Sequence, residues 1–151
     1  MSDRTVIVRP IEASDRQAWE RLWDSYLAFY KTSVTDTVKA SSFARLLGDD
    51  PHDFHGLIAE VDGTPAGLVH YLFHRHGWKV ENVCYLQDLY ADPAVRGTGI
   101  GRALIEAVYA AADAAGAPSV YWLTQEDNDT ARQLYDRIAA KTDFIKYQRV
   151  L

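Results

Sequence analysis

The stretch Tyr85-Leu-Gln-Asp-Leu-Tyr-Ala-Asp-Pro-Ala-Val-Arg-Gly-Thr-Gly-Ile-Gly-Arg-Ala-Leu104 decides how this chain is read. An apolar strand runs into an Arg-x-x-Gly-x-Gly turn from Arg96 to Gly101, and the turn opens an amphipathic helix. Glycines at 97, 99 and 101 read as positions where the backbone takes torsions a side chain would forbid, leaving bare N–H groups to face an anion. The helix adds its own unpaired N–H groups and the positive end of its dipole. The expected ligand therefore carries a pyrophosphate. Taken alone, the turn also fits an ordinary helix start or a dinucleotide-binding turn. The latter needs Gly-x-Gly-x-x-Gly in an early βαβ unit, whereas Gly97-x-Gly99-x-Gly101 comes late.

Working outward, 151 residues without repeat or linker suit one domain over 1–151, and one core. Hydrophobic residues make up 48% and charged residues 25%, a composition that excludes intrinsic disorder. No apolar run approaches the roughly 20 residues that span a bilayer, and Met1-Ser-Asp-Arg4 lacks a leader's apolar stretch, so no membrane partner and a cytoplasmic location are expected. Cys84 is the only cysteine, which rules out an intrachain disulfide and a cysteine-based zinc site. A net charge of -5 argues against nucleic acid as a partner and hints at a cationic small substrate.

Periodicity supplies the remaining elements. Thr5 to Arg9 reads as a strand, central or next to an edge. Ser14 or Asp15 can cap a helix in which Trp19, Leu22, Trp23, Tyr26, Leu27 and Tyr30 recur at helical spacing. Val38 to Leu47 reads as a shorter helix. Leu57 to Val61 and Ala66 to His74 flank Asp62-Gly63, a pair suited to a tight hairpin turn. A strand from about Val83 to Ala91 follows. Ile100, Ala103, Leu104, Ala107, Val108 and Ala111 line one face of the next helix, which Gly116 and Pro118 end. Val120 to Thr124 reads as a strand parallel to its predecessor, since a helix joins them. Ala131, Leu134, Tyr135, Ile138 and Ala139 define a last helix, and Asp143 to Val150 a closing strand. The expected fold is α/β, ordered β-α-α-β-β-β-α-β-α-β, a mixed sheet with helices on both faces.

These motifs, in this order, resemble the GNAT superfamily of acyl-CoA-dependent N-acetyltransferases over nearly the whole chain. Tyr85-Leu-Gln-Asp88, Arg96-Gly-Thr-Gly-Ile-Gly101 and Asn128 to Tyr135 are most similar to the diamine and polyamine (spermidine/spermine) branch, which histone/polyamine-type and thialysine acetyltransferases share. The resemblance implies acetyl-CoA as co-substrate, a primary amine of a small molecule as acceptor, no metal, and a homodimer. A protein lysine or N-terminal acetyltransferase and a non-catalytic acyl-CoA sensor are the alternatives.

By the same resemblance Leu89, Tyr90 and Ala91 offer backbone groups to the pantetheine arm and the acetyl carbonyl, as a strand added to a sheet edge. Arg96, Gly97, Thr98, Gly99, Ile100, Gly101 and Arg102 hold the pyrophosphate. Asn128 and Ala131 lie along the pantetheine, and Tyr135 reaches the sulfur. A phenol near pKa ~10 is a weaker acid than a thiol near ~8.5, so Tyr135 is a hydrogen-bond donor first and an acid second. Without the resemblance, Tyr135 reads as a core tyrosine on its helix's apolar stripe and Asn128 as a helix cap.

The general base is the open question. An alkylammonium of pKa around 10 is about one part in a thousand neutral at pH 7, so freeing the amine costs roughly 4 kcal/mol. The branch usually carries a glutamate where Gln87 stands, and an amide is no base. Asp88 is adjacent, but strand alternation sends it to the opposite face from Gln87; Glu126 or a water chain is the substitute. Tyr30, Gln87 and Asp88 are the candidate substrate contacts, although Lys31 stands where the branch tends to be acidic. His70, His74 and His76 lack the accompanying carboxylates of a metal site, and Cys84 reads as a small buried hydrophobe.

Overall fold

The computed structural model describes residues 4–151; the N-terminal reading at Met1 to Asp3 lies outside the described residues. Five strands form one sheet in the order β1-β2-β3-β4-β5. They are β1 (Val6–Pro10), β2 (His55–Val61), β3 (Thr64–His74), β4 (Val83–Ala91) and β5 (Val120–Tyr121). The first four are antiparallel, and β5 joins β4 in parallel. Helix α1 (Arg16–Phe29) and α2 (Asp36–Leu47) follow β1, α3 (Ile100–Ala114) links β4 to β5, and α4 (Asp129–Ile138) follows β5. The α/β class and the change from antiparallel to parallel pairing are as the sequence leads one to expect. β1 pairs only with β2 and so forms one edge.

The sheet separates two apolar cores. Trp19, Leu22 and Trp23 of α1 and Phe43 of α2 pack on Ile58 and Leu68 of one face. Ile100, Leu104, Ile105 and Val108 of α3 pack on Ala59, Val69, Cys84 and Leu86 of the other. Each helix presents the stripe that its 3.6-residue period places on one side. The β2–β3 hairpin turns at Asp62 and Gly63, both at positive φ (51° and 82°), as a two-residue primed turn requires. Asp15 does precede α1, but its side chain does not cap the helix. The carboxylate instead accepts from Arg9 Nη1 and Nη2 at 2.7 and 2.8 Å and from the Glu12 amide at 2.7 Å.

Two expectations are corrected. Asp143 to Val150 forms no strand: the chain beyond α4 has no ladder partner, and Phe144, Ile145, Tyr147 and Val150 stand exposed. Its β pattern is real, but within the described chain nothing lies alongside it to complete the ladder. The strand expected over Val120 to Thr124 is also shorter. Only Cys84↔Val120 and Tyr85↔Tyr121 pair, after which β4 and β5 separate.

Candidate active site

The separation of β4 from β5 builds the site. Beyond Tyr85 the β4 backbone has partners on its β3 side only, so Leu89, Tyr90 and Ala91 keep a free edge. Between the strands lies a crevice lined by Tyr26, Tyr30, Leu86, Gln87, Leu89, Trp122, Leu123 and Tyr135. Four elements or their ends thus converge: α1 brings the first two tyrosines, β4 and the chain after β5 form the walls, and α4 supplies Tyr135.

A bulge in β4 decides which side chains enter. Tyr71 pairs with Leu86 and His70 with Asp88, so Gln87 is an extra residue with no partner on β3. Simple alternation therefore fails across Leu86 to Asp88. Gln87 turns into the crevice, and Asp88 faces α1, where burial and, after it, the charge of Asp88 drive the Tyr26 phenol well above its usual range. The two residues that alternation sends apart both come to Tyr26.

Tyr135 is half-buried, and its ring meets Trp122 edge-on with centroids 5.4 Å apart. Burial, and to a lesser degree Tyr30, pushes its phenol up to about 12, so it keeps its proton at neutral pH and has an O–H to donate. Glu126 is not beside it. This residue lines a second, more open hollow with Phe29, Tyr30, Lys31, Gln125 and Asp127; Tyr30 is common to both. Lys31 sits there at φ 59°, the left-handed region. Asn128 precedes α4 without a side-chain capping bond; its carbonyl accepts from the Arg132 amide. Ala131 lies on the first turn of the same helix.

In the turn that follows β4, Gly97 and Gly99 take φ of 81° and 79°, with open space where a Cβ would stand. Gly101 does not share that torsion: it lies within α3, and a Cβ there would come 3.4 Å from Leu134. Its smallness serves packing against α4, which corrects the expectation for this glycine. Thr98 Oγ1 donates to the Val95 carbonyl at 2.7 Å and pins the turn. The amides of Ile100, Gly101 and Arg102 precede the first intrahelical donor, the Ala103 amide that bonds the Gly99 carbonyl, so they remain free for an anion. A free strand edge, a crevice and an open cradle of amides together fit a long ligand with a pyrophosphate.

Among the described residues no group of three or more His, Cys, Asp or Glu is placed to hold a metal. His74 bonds the Arg75 carbonyl and the Tyr121 hydroxyl, while His70 is buried. Burial pushes the Cys84 thiol up to about 11, far from a nucleophile's thiolate. Leu86, Trp122 and Leu123 line the crevice although sequence reasoning passed them over; the last two are the instructive ones. They belong to a run that reads as paired strand, and nothing local signals where pairing stops.

The profile of the Acetyltransferase (GNAT) family matches residues 16–139, and the chain belongs to that family: it is an acetyl-CoA-dependent N-acetyltransferase. It is 40% identical over 150 residues to the D-amino-acid N-acetyltransferase HPA3 of Saccharomyces cerevisiae, covering 99% of this chain and 92% of that one. The thialysine N-epsilon-acetyltransferase of Bos taurus is 32% identical over 126 residues, 76% of this chain and 72% of its own. A crystal structure of the aminoglycoside N-acetyltransferase AAC(6')-Iy with CoA shares the fold at a TM-score of 0.83 and 18% identity, covering 97% of this chain and 95% of that chain.

Proposed function

We propose that the protein moves the acetyl group of acetyl-CoA directly to the primary amine of a small amino compound, such as an amino acid, a lysine analogue or a polyamine. The observation that carries the reading is Tyr135, a phenol held neutral in a crevice that Tyr26, Tyr30 and Gln87 also line. The co-substrate supplies an activated acyl carbon on a good leaving group. Leu89 to Ala91 align it through the free edge of β4, and Arg96 to Arg102 take its pyrophosphate. Tyr135 donates to the departing sulfur, and proximity does much of the rest. The relatives named for D-amino acids and thialysine support a small acceptor, as does a crevice walled by aromatic side chains.

The assay is thiol release from acetyl-CoA across a panel of amino acids, lysine analogues, polyamines and aminoglycosides, with Tyr135→Phe beside wild type. Turnover with one acceptor class, reduced about a hundredfold in the variant, supports the reading. Acetyl-CoA that raises the melting temperature without turnover on any amine sinks it.

The reading takes the enzyme to be cytoplasmic, in keeping with a single buried free thiol, and to work as a homodimer. Support for the dimer comes from two unfinished parts of the fold. β5 is an edge strand only two residues long, and the chain after α4 carries exposed Phe144, Ile145, Tyr147 and Val150 with no strand partner among the described residues. The second copy's 143–151 segment laid along the outer edge of β5 would satisfy both.

A further inference from the structure

The crevice at Tyr135 has a free volume of about 10 Å³, which holds little more than one water. An amine end can enter it, while the body of an acceptor needs room elsewhere. The open hollow beside it, about 380 Å³, has the size of a small-molecule site and shares Tyr30 with the crevice. None of Leu89 to Ala91 or Arg96 to Arg102 lines it. The hollow is therefore separate from the strand edge and the amide cradle that the co-substrate takes, and it opens on the acceptor's side.

Its lining carries both signs of charge. Lys31 follows α1, while Glu126 and Asp127 belong to the chain between β5 and α4. Among the described residues none of the three is in an ion pair. Opposite charges that line one hollow without meeting leave space for a ligand that carries both. Phe29, exposed and edge-on to Tyr30, adds an apolar surface.

Backbone hydrogen bonds fix both rims. The Thr32 amide donates to the Leu27 carbonyl at 3.0 Å and the Lys31 amide to the Ala28 carbonyl at 2.9 Å, the two bonds of a Schellman motif whose left-handed residue is Lys31 at φ 59°. Glycine is usual at that position, because a Cβ is strained in the left-handed region. The backbone of the turn thus gains nothing from lysine; what the residue adds is an ammonium on a long stem at the hollow. On the other rim the Asn128 amide donates to the Gln125 carbonyl at 3.1 Å, and Arg132 Nη1 to the Glu126 carbonyl.

We propose that this hollow seats the acceptor and that Lys31 sets its class: an amino acid, whose carboxylate pairs with Lys31 while its ammonium faces Glu126 and Asp127. This rests on the acetyl-transfer reading above. A polyamine or an aminoglycoside brings only cations, one of which would stand against Lys31, so the mixed charge selects the zwitterion by repulsion as well as by attraction.

The test measures kcat and KM of the full-length enzyme for the best amino acid of the panel and for the amine that lacks only its carboxylate, as cadaverine matches lysine and ethylamine matches alanine. Wild type is expected to favour the amino acid in kcat/KM by at least about tenfold. Lys31→Gly suits the left-handed torsion, so its melting temperature should equal or exceed that of wild type and its acetyl-CoA KM should stay. Its preference for the amino acid should nevertheless fall to within about twofold, chiefly through the amino acid's KM. Lys31→Arg should keep the preference, and Lys31→Glu should reverse it. A wild type that uses the decarboxylated amine as well as the amino acid, or a Lys31→Gly variant that keeps the full preference, overturns the inference while acetyl transfer stands. No turnover by wild type on any amine overturns both.

Discussion

Asp15 ties the start of α1 to Arg9 of β1. It stands where a helix cap is expected, yet its carboxylate takes a bidentate fork from Arg9 and one amide from Glu12. The Arg9 hydrogen bonds, partly opposed by burial, hold its carboxyl below the usual carboxylate range, and Arg9 rises in turn. A carboxyl with a depressed folded pKa stabilises the fold above its unfolded pKa near ~3.9, and loses that contribution as pH falls through the folded value. Asp15→Ala is accordingly expected to cost about 2 kcal/mol at pH 7. Its urea midpoint should approach that of wild type as pH drops below about 4. An equal deficit at pH 7 and pH 3 would show that packing, not charge, is what the variant loses.

At the scale of elements, the turn from Arg96 to Gly101 and the start of α3 form one unit. Gly99 begins the helix in the left-handed region with nothing within 4 Å of where a Cβ would lie. An alanine there clashes with no side chain. It costs about 1–2 kcal/mol in backbone torsion and covers amides that would face the pyrophosphate. Gly99→Ala is expected to raise the acetyl-CoA KM about tenfold, with amine KM nearly unchanged. An unaltered acetyl-CoA KM would remove this turn from the cofactor site. The same scale explains the bulge at Gln87. One extra residue in β4 is a small change of local geometry, but it brings a bulged side chain and its neighbour together at Tyr26.

For the whole molecule, the prominent feature is a sheet that stops early. Phe144, Tyr147 and Val150 are 80%, 88% and 94% exposed, and the continuation of the edge strand β5 carries exposed Leu123. Burying each such side chain is worth about 1.5–3 kcal/mol, which favours a second copy closing the sheet. Light scattering on the full chain should give twice the 17.0 kDa mass of one copy. Deleting 143–151 should give a monomer of lower melting temperature. A monomeric full chain at micromolar concentration would defeat the strand-completion reading.

Much of this was legible because it depends on near neighbours. Helical stripes such as Trp19, Leu22, Trp23 and Ile100, Leu104, Val108, the Asp62-Gly63 turn and the open torsions at Gly97 and Gly99 follow from backbone sterics and periodicity within a few residues. From them came the α/β class, the two-faced sheet and the anion cradle. Three features waited for the tertiary structure. Where β5 leaves β4 depends on packing by α3 and α4; where alternation breaks at Gln87 depends on the register with β3. The missing ladder for 143–151 depends on what lies beside it. His70 shows the difference most clearly. The sequence supplies an imidazole on an apolar strand, but its two partners, Trp19 and Asp88, lie 51 and 18 residues away along the chain. Local sterics act through the chain, whereas hydrogen-bond partners and charges act through space, and only the folded structure sets those distances.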